Sequence, residues 1–327
     1  MNNKEIAERI VERMLESINA NGYMPWSKPW GKASTRVTRI EDGYTEIVMT
    51  PRFWSRSGRP YSGINVQLLS MTGKEGEYIT FAQAKKEGGR IRKGAKSSTI
   101  VFWNRKVIET EELDSNGDKI KKVIPLLKYY NVFSIEDVEG LEPKHKPAPV
   151  VIRIPKYRYE TSENNPATIP EAEAVVAGYL HRAKTLTIKD DSYSDRAYYS
   201  PALDAVVVPE ITQFEHVEEY YSTKFHELGH STGHESRLNR PFGTSFGNEA
   251  YSREELVAEI TSASILNILG LETGNSFRNS AAYIQSWSKH IKDDPMMYIT
   301  ASSRAEKAIN LILGIEDVES KEEEDAA

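Results

Sequence analysis

The 327-residue sequence contains no cysteine. That excludes disulfides, thiolate catalysis and cysteine-ligated zinc, so any zinc must rest on histidine and carboxylate. Histidine is itself scarce, with seven in the chain. No apolar run approaches the ~18 residues that a membrane span needs, and MNNKEIAERIVERMLESI at the N-terminus reads as an amphipathic helix rather than a signal peptide. A cytoplasmic protein with no membrane partner is the expectation. Repeats and collagen-like bias are also missing. The hydrophobic fraction of 39% and charged fraction of 28% are those of a soluble globular chain long enough for two domains.

The net charge of -6 conceals an asymmetry. Residues 1–150 carry 25 Lys+Arg against 19 Asp+Glu, and the remainder 17 against 29. Halves of opposite sign suggest two tasks. Six of the fifteen prolines fall between Gly140 and Glu171. Proline removes an amide donor and restricts its predecessor, so this stretch reads as a linker with one short extended piece at Val150 to Ile154. The expected division is residues 1–142, a linker at 143–170, a second domain at 171–315, and a disordered acidic tail at 316–327.

Upstream, Ile64 to Met71 and Thr80 to Glu87 look helical, the latter with a threonine cap. Thr99 to Glu109 and Lys121 to Phe133, β-branched and aromatic and separated by DSNGD, predict a β-hairpin. Downstream, Glu171 to Lys184, Val217 to Gly233, Glu254 to Leu269 and a segment between Ser303 and Leu313 predict helices, with a short strand at Ala205 to Val208. Both domains are expected to be α+β.

Three of the seven histidines stand in KFHELGHSTGHESRLNR, Lys224 to Arg240. His226, Glu227 and His230 form H-E-x-x-H. On a helix the two histidines lie ~6 Å apart along the axis on one face, so both imidazoles can reach one ion, with Glu227 beside them. A catalytic zinc wants a third protein ligand. If the helix continues, His234 lies ~12 Å from His226, too far for that role; a break at Gly233 is the alternative, and otherwise His234 is an outer or surface residue. SREELVAEI, Ser252 to Ile260, offers a better source. Glu255 and Glu259 share a face, while Glu254 is rotated away by ~100°. Glu255 is the expected ligand and Glu259 the carboxylate that receives the free N–H of a ligating histidine. Ser252 and Glu255 also match a capping box, in which case Glu259 becomes the ligand.

Leu228 and Gly229 within the motif, SPALDAVVVP before it and E-x-x-A-E after it resemble zincin metallopeptidases with a glutamate third ligand. Glu259 stands where that family usually has Asp or Asn, and Lys224 where it usually has an uncharged residue; Lys224 lies ~200° around the helix from His226. In the N-terminal half, MPWSKPW, RPYSGINVQLLS and TFAQAKKEGGRIRKGAKSSTIVFW are similar to ArdC-type antirestriction proteins of mobile elements. The resemblance implies a domain that binds single-stranded DNA, a zincin-like domain holding one Zn2+, and protection of incoming DNA from restriction.

The residues point to nucleic acid independently. From Pro51 to Lys106 there are 12 basic residues and three acids, a stretch able to displace counterions from a phosphate backbone. Four of the five tryptophans, Trp26, Trp30, Trp54 and Trp103, lie in this half. Aromatic faces among cations suit splayed bases, although buried aromatics and solvated charge runs are common on their own account. Trp26, Trp30 and Trp54 are the stacking candidates. Arg52 and Arg56 flank Trp54, and Arg59, Arg90, Arg92, Lys93 and Lys96 are the phosphate candidates. Phe102 and Trp103 alternate along a strand, so one of them belongs to the core.

In the chemistry implied, zinc held by His226, His230 and Glu255 activates water, Glu227 moves the proton, and a peptide bond of an unidentified protein is cut. The strand near Ala205 to Val208 would pair with the extended substrate. Two other readings compete. One is a DNA-coating shield whose metal site is structural or vestigial, and the other an intracellular peptidase with no DNA role.

Overall fold

A computed structural model describes residues 3–21, 35–40, 44–113, 119–155, 168–242, 249–271 and 291–315. Helix α1 (Asn3–Asn21) buries Ile6, Ile10 and Met14, four residues apart on one face. The N-terminal sheet has the order β3-β4-β7-β6, from β3 (Phe53–Ser55), β4 (Gly76–Thr80), β6 (Ser98–Leu113) and β7 (Lys119–Ser134). Strands β3 and β4 are parallel, so the chain must cross over between them, and α2 (Gly63–Ser70) does this. Helix α3 (Phe81–Lys86) starts at the expected threonine cap, and the structure adds a reciprocal bond from Gln83 that makes Thr80 and Gln83 a capping box. The hairpin is longer than expected, 16 residues in each strand. Phe53, Leu69, Tyr78, Ile100 and Val132 fill the space between the sheet and α2.

The described part of the proline-rich stretch contains the expected short extended segment. Its extended piece is β9 (Val150–Pro155), antiparallel to β2 (Tyr44–Met49), which pairs in turn with β1 (Thr35–Ile40). Ile152 and Ile154 are buried and Val151 and Arg153 exposed, the alternation of a strand with one face on a core. That core belongs to the second domain. Ile47, Ile152 and Ile154 pack with Val175 and Tyr179 of α4 (Pro170–Ala183). At Gly178 an added Cβ would meet Ile154 Cγ2 at 2.7 Å, so glycine lets strand and helix approach closely. Another short pair joins β5 (Arg90–Ile91) to β8 (Val138–Glu139).

The second domain has a three-stranded sheet in the order β10-β12-β11: β10 (Thr187–Lys189), β12 (Ala205–Val207) and β11 (Tyr198–Ser200). Beside it run α5 (Val217–Ser231), α6 (Glu249–Leu269) and α7 (Pro295–Leu313). The strand expected to receive substrate, β12, is the central one. Its two edges are taken by β10 and β11, so it cannot pair with another backbone. Helix α6 begins at Glu249, earlier than expected, and places Ser252 inside the helix rather than at its cap.

The two domains share a core. Ile6, Ile10 and Met14 of α1 cluster with Ile64, Leu68, Val101 and Leu127 of the first domain and with Leu256, Ile260, Met297 and Tyr298 of the second. The Tyr298 hydroxyl donates to Gln67 across this junction.

Candidate metal centre

Helices α5 and α6 bring the histidines and acids together. Their close approach depends on Gly229 inside the H-E-x-x-H turn, where an added Cβ would meet Ala258 Cα at 3.0 Å. His226 and His230 lie one turn apart with ring centroids 4.9 Å from each other. Their Nε2 atoms converge on one carboxylate: His226 Nε2 lies 3.5 Å from Glu255 Oε2, and His230 Nε2 lies 3.4 Å from Glu255 Oε1. Each Nδ1 faces a different acid. His226 Nδ1 is 3.4 Å from Glu259 Oε2, and His230 Nδ1 is 3.5 Å from Glu254 Oε1.

This donor set fits a divalent cation. One ligand atom from each of His226, His230 and Glu255 lies within 4.8 Å of the others. Atoms bonded at ~2.1 Å to a tetrahedral centre lie ~3.4 Å apart, which is the spacing found between the Nε2 atoms and the Glu255 oxygens. Acids behind both Nδ1 atoms complete the pattern, since an N–H donated backwards leaves Nε2 unprotonated toward the ion.

Electrostatics agree. Burial alone would lower both imidazole pKa values, but the carboxylates outweigh it. Glu255 and Glu259 raise His226 well above its ordinary value, and Glu254 and Glu255 raise His230. Burial would lift the Glu255 carboxyl, yet the two histidines hold it far below the usual carboxylate range. The site is built to hold positive charge.

Glu254 and Arg240 were not singled out by sequence. Glu254 is indeed turned from Glu255, yet that rotation aims it at the second histidine. Arg240 clamps it, Nε to Oε2 at 2.9 Å and Nη2 to Oε1 at 2.5 Å, and also donates to Gly229 O and Thr232 Oγ1 at the end of α5. His234 does not join the cluster. The helix ends at Ser231, and His234 Nδ1 pairs with Ser236 Oγ at 2.8 Å. Lys224 is buried on another side of α5, bound to Asp190 Oδ2 at 2.8 Å, Tyr220 OH at 2.9 Å and Glu173 Oε1 at 3.2 Å.

A neighbouring network fixes the loop after α5. Arg237 Nη1 donates to Asp204 Oδ2 at 3.0 Å, and Tyr199 and Thr185 also donate to that carboxylate. Burial would raise Asp204, but these donors bring it down to about 2.

Comparison with known proteins bears on the whole arrangement. Residues 4–133 match the N-terminal domain of anti-restriction factor ArdC, and residues 176–304 match a zincin-like metallopeptidase family. The metal-free crystal structure of the antirestriction protein ArdC from plasmid R388 is 32% identical, covering 94% of this chain and 96% of that one, with a TM-score of 0.59. This chain belongs to the ArdC family. The Mn(II)-bound structure of the same plasmid protein is 31% identical with a TM-score of 0.61, covering 94% and 97% of the two chains. A DNA primase TraC of Escherichia coli is 32% identical over 98% of this chain, but the chain spans only 28% of that protein. It spans 90% of the uncharacterized protein y4eC of Sinorhizobium fredii, at 26% identity.

In the ArdC-type N-terminal domain, the expected DNA contacts divide. Arg90, Arg92, Lys93 and Lys96 are exposed, as are Lys85 and Lys86 on α3. Trp54 and Arg56 require correction. Trp54 is 8% exposed and cannot offer a face. Arg56 is equally buried, donating to Glu77 and binding Glu87 Oε2 at 3.0 and 2.8 Å, because two acids distant in sequence neutralise it internally. Arg52 is drawn to Glu75 at 2.8 and 2.6 Å and lies over the Phe53 ring. Arg59 is half-buried. Trp26 and Trp30 lie outside the described residues, as does the side chain of Trp103; Phe102 is half-buried against Tyr130. No helix among the described residues is long and apolar enough to cross a membrane.

Proposed function

We propose that the chain binds single-stranded DNA through its N-terminal domain and hydrolyses peptide bonds at the α5–α6 centre, in the service of antirestriction. The observation that carries the catalytic part is the convergence of His226 and His230 Nε2 on Glu255, with Glu259 and Glu254 behind the two Nδ1 atoms. His226, His230 and Glu255 are the metal ligands. Zinc is the natural occupant of two imidazoles and a carboxylate, and the Mn(II)-bound plasmid relative supports a divalent ion of this kind. Such an ion supplies Lewis acidity to a carbonyl oxygen and acidity to water.

The protein's own groups do the rest. Glu227 follows His226 on α5, is 8% exposed, and its charge acts on both imidazoles. It takes the proton from the attacking water and returns it to the leaving amine. Glu254 and Glu259 hold the histidine rings in the ligating tautomer. The substrate backbone adds to β11, the edge strand that packs against α5, rather than to the enclosed β12.

DNA binding rests on the exposed cations from Lys85 to Lys96, which lie on one short stretch of the domain. The deciding experiment compares wild type with Glu227→Gln, measuring bound metal, proteolysis, and survival of unmodified DNA entering a restricting host. The expected variant keeps its metal, loses proteolysis by about 100-fold or more, and no longer protects. Full protection by that variant discards the peptidase reading in favour of a DNA-coating shield.

A further inference from the structure

Away from the metal centre, the N-terminal domain contains a cleft between the β3–α2 connection, the start of α3, and the facing strands β6 and β7. It is open to solvent on one side and lined by Tyr61, Asn65, Thr80, Gln83 and Phe102 among others. We propose that this cleft seats one unstacked base of bound single-stranded DNA, an inference that rests on the DNA-binding reading above.

The lining has the two elements that base recognition needs, apolar faces and fixed polar edges. Tyr61 and Phe102 line it and are only half-buried. Phe102 is steadied by Tyr130, ring centroids 5.8 Å apart and planes at 63°. Its orientation is therefore set before a ligand arrives, which lowers the ordering entropy of binding. Polar edges come from Asn65, Thr80 and Gln83. The Asn65 amide is locked onto β6, with Nδ2 to Val101 O and Oδ1 from Val101 N both at 2.8 Å. Gln83 Oε1 accepts from Thr80 N at 3.0 Å, and Thr80 Oγ1 from Gln83 N at 3.2 Å. Each of these side chains is held by a main-chain partner, Asn65 by Val101 and Thr80 and Gln83 by each other's backbone.

Charge and placement favour a base on a strand. Arg59 is the one charged lining residue, so the cleft itself offers little to a phosphate. The cations that suit phosphates instead follow the cleft along the chain, Lys85 and Lys86 on α3, Arg90 on β5, and Arg92 and Lys93 just after it, all exposed. Phe81, which directly follows the lining residue Thr80, is 61% exposed. It offers a stacking face for a neighbouring base at the surface. Duplex DNA cannot present a base face to such a cleft, whereas a single strand can.

The test uses the full chain and two fluorescent strands of equal length, oligothymidylate and the same backbone without bases. Wild type is expected to bind the abasic strand at least about tenfold more weakly. Tyr61→Leu should bring oligothymidylate close to the abasic affinity, with the abasic affinity unchanged. Because that variant could perturb folding, wild type is also irradiated with a strand carrying 5-iododeoxyuridine, and the adducts are mapped by mass spectrometry. Adducts at Tyr61 or Phe102 support the cleft. Equal, salt-dependent affinity for both strands, or adducts confined to other residues, overturns it while leaving backbone binding intact. Binding of neither strand overturns the DNA reading together with the cleft.

Discussion

Arg240 holds both oxygens of Glu254, at 2.9 and 2.5 Å, and thereby fixes the acid that stands behind His230. The pair is almost wholly enclosed, with side chains 4% and 5% exposed. Removing the guanidinium would strand a carboxylate in the interior. Arg240→Ala should therefore destabilise the metal-free protein by ~3–5 kcal/mol and weaken metal affinity by ~10–100-fold. Thermal melts and metal titration read the two effects separately, and a variant with unaltered metal affinity would refute the link to His230.

The three glutamates of α6 should separate by metal stoichiometry. Glu255→Ala is expected to lose the metal on gel filtration. Glu259→Gln and Glu254→Gln should retain it with affinities ~10–100-fold weaker. If Glu259→Gln alone abolished binding, the ligand would be Glu259.

Stability of the metal-free protein should depend on pH through the same histidines. Their folded pKa values lie above the ordinary 6.5. A raised folded value stabilises in full below the unfolded value and is lost as pH rises through the folded one. The melting temperature without metal should thus fall as pH is raised above about 6.5. Metal affinity should rise over the same interval, because ligation needs neutral imidazole. A flat apo profile across this range contradicts the geometry.

Lys224 supports α5 from within. It is fully buried between Asp190 and Glu173. Lys224→Met should cost ~3–5 kcal/mol by leaving carboxylates unpaired, and adding Asp190→Asn should recover part of that loss. Denaturant unfolding of the single and double variants checks this.

Replacing Arg90, Arg92, Lys93 and Lys96 together by glutamine should weaken binding to single strands and reduce the slope of log affinity against log salt by up to ~3. An unchanged slope would place the phosphates elsewhere.

The candidate metal centre is legible in the sequence because H-E-x-x-H is a local, helical pattern, and an acid pair at i and i+4 on a later helix is equally local. Glu254 escaped because rotation around an isolated helix says nothing of what a second helix presents at that angle. Trp54 and Arg56 misled because a cation beside an aromatic looks the same in sequence whether it meets phosphate or a buried acid such as Glu77. The enclosure of β12 and the pairing of Ile47 with Ile152 depend on contacts that no local pattern encodes. Ser252 cannot act as a cap because α6 runs from Glu249, which places it within the helix.

The shared core bears on how this protein can be dissected. An excised fragment ending near residue 142 would take α1 with it but leave behind α7, along with Tyr298, the partner of Gln67. It would also carry β2 without β9. Such a piece would expose an oily helix flank and a raw strand margin, inviting self-association. Assays of severed halves would then report stickiness in place of recognition, so each activity is best dissected by point substitution within the intact chain.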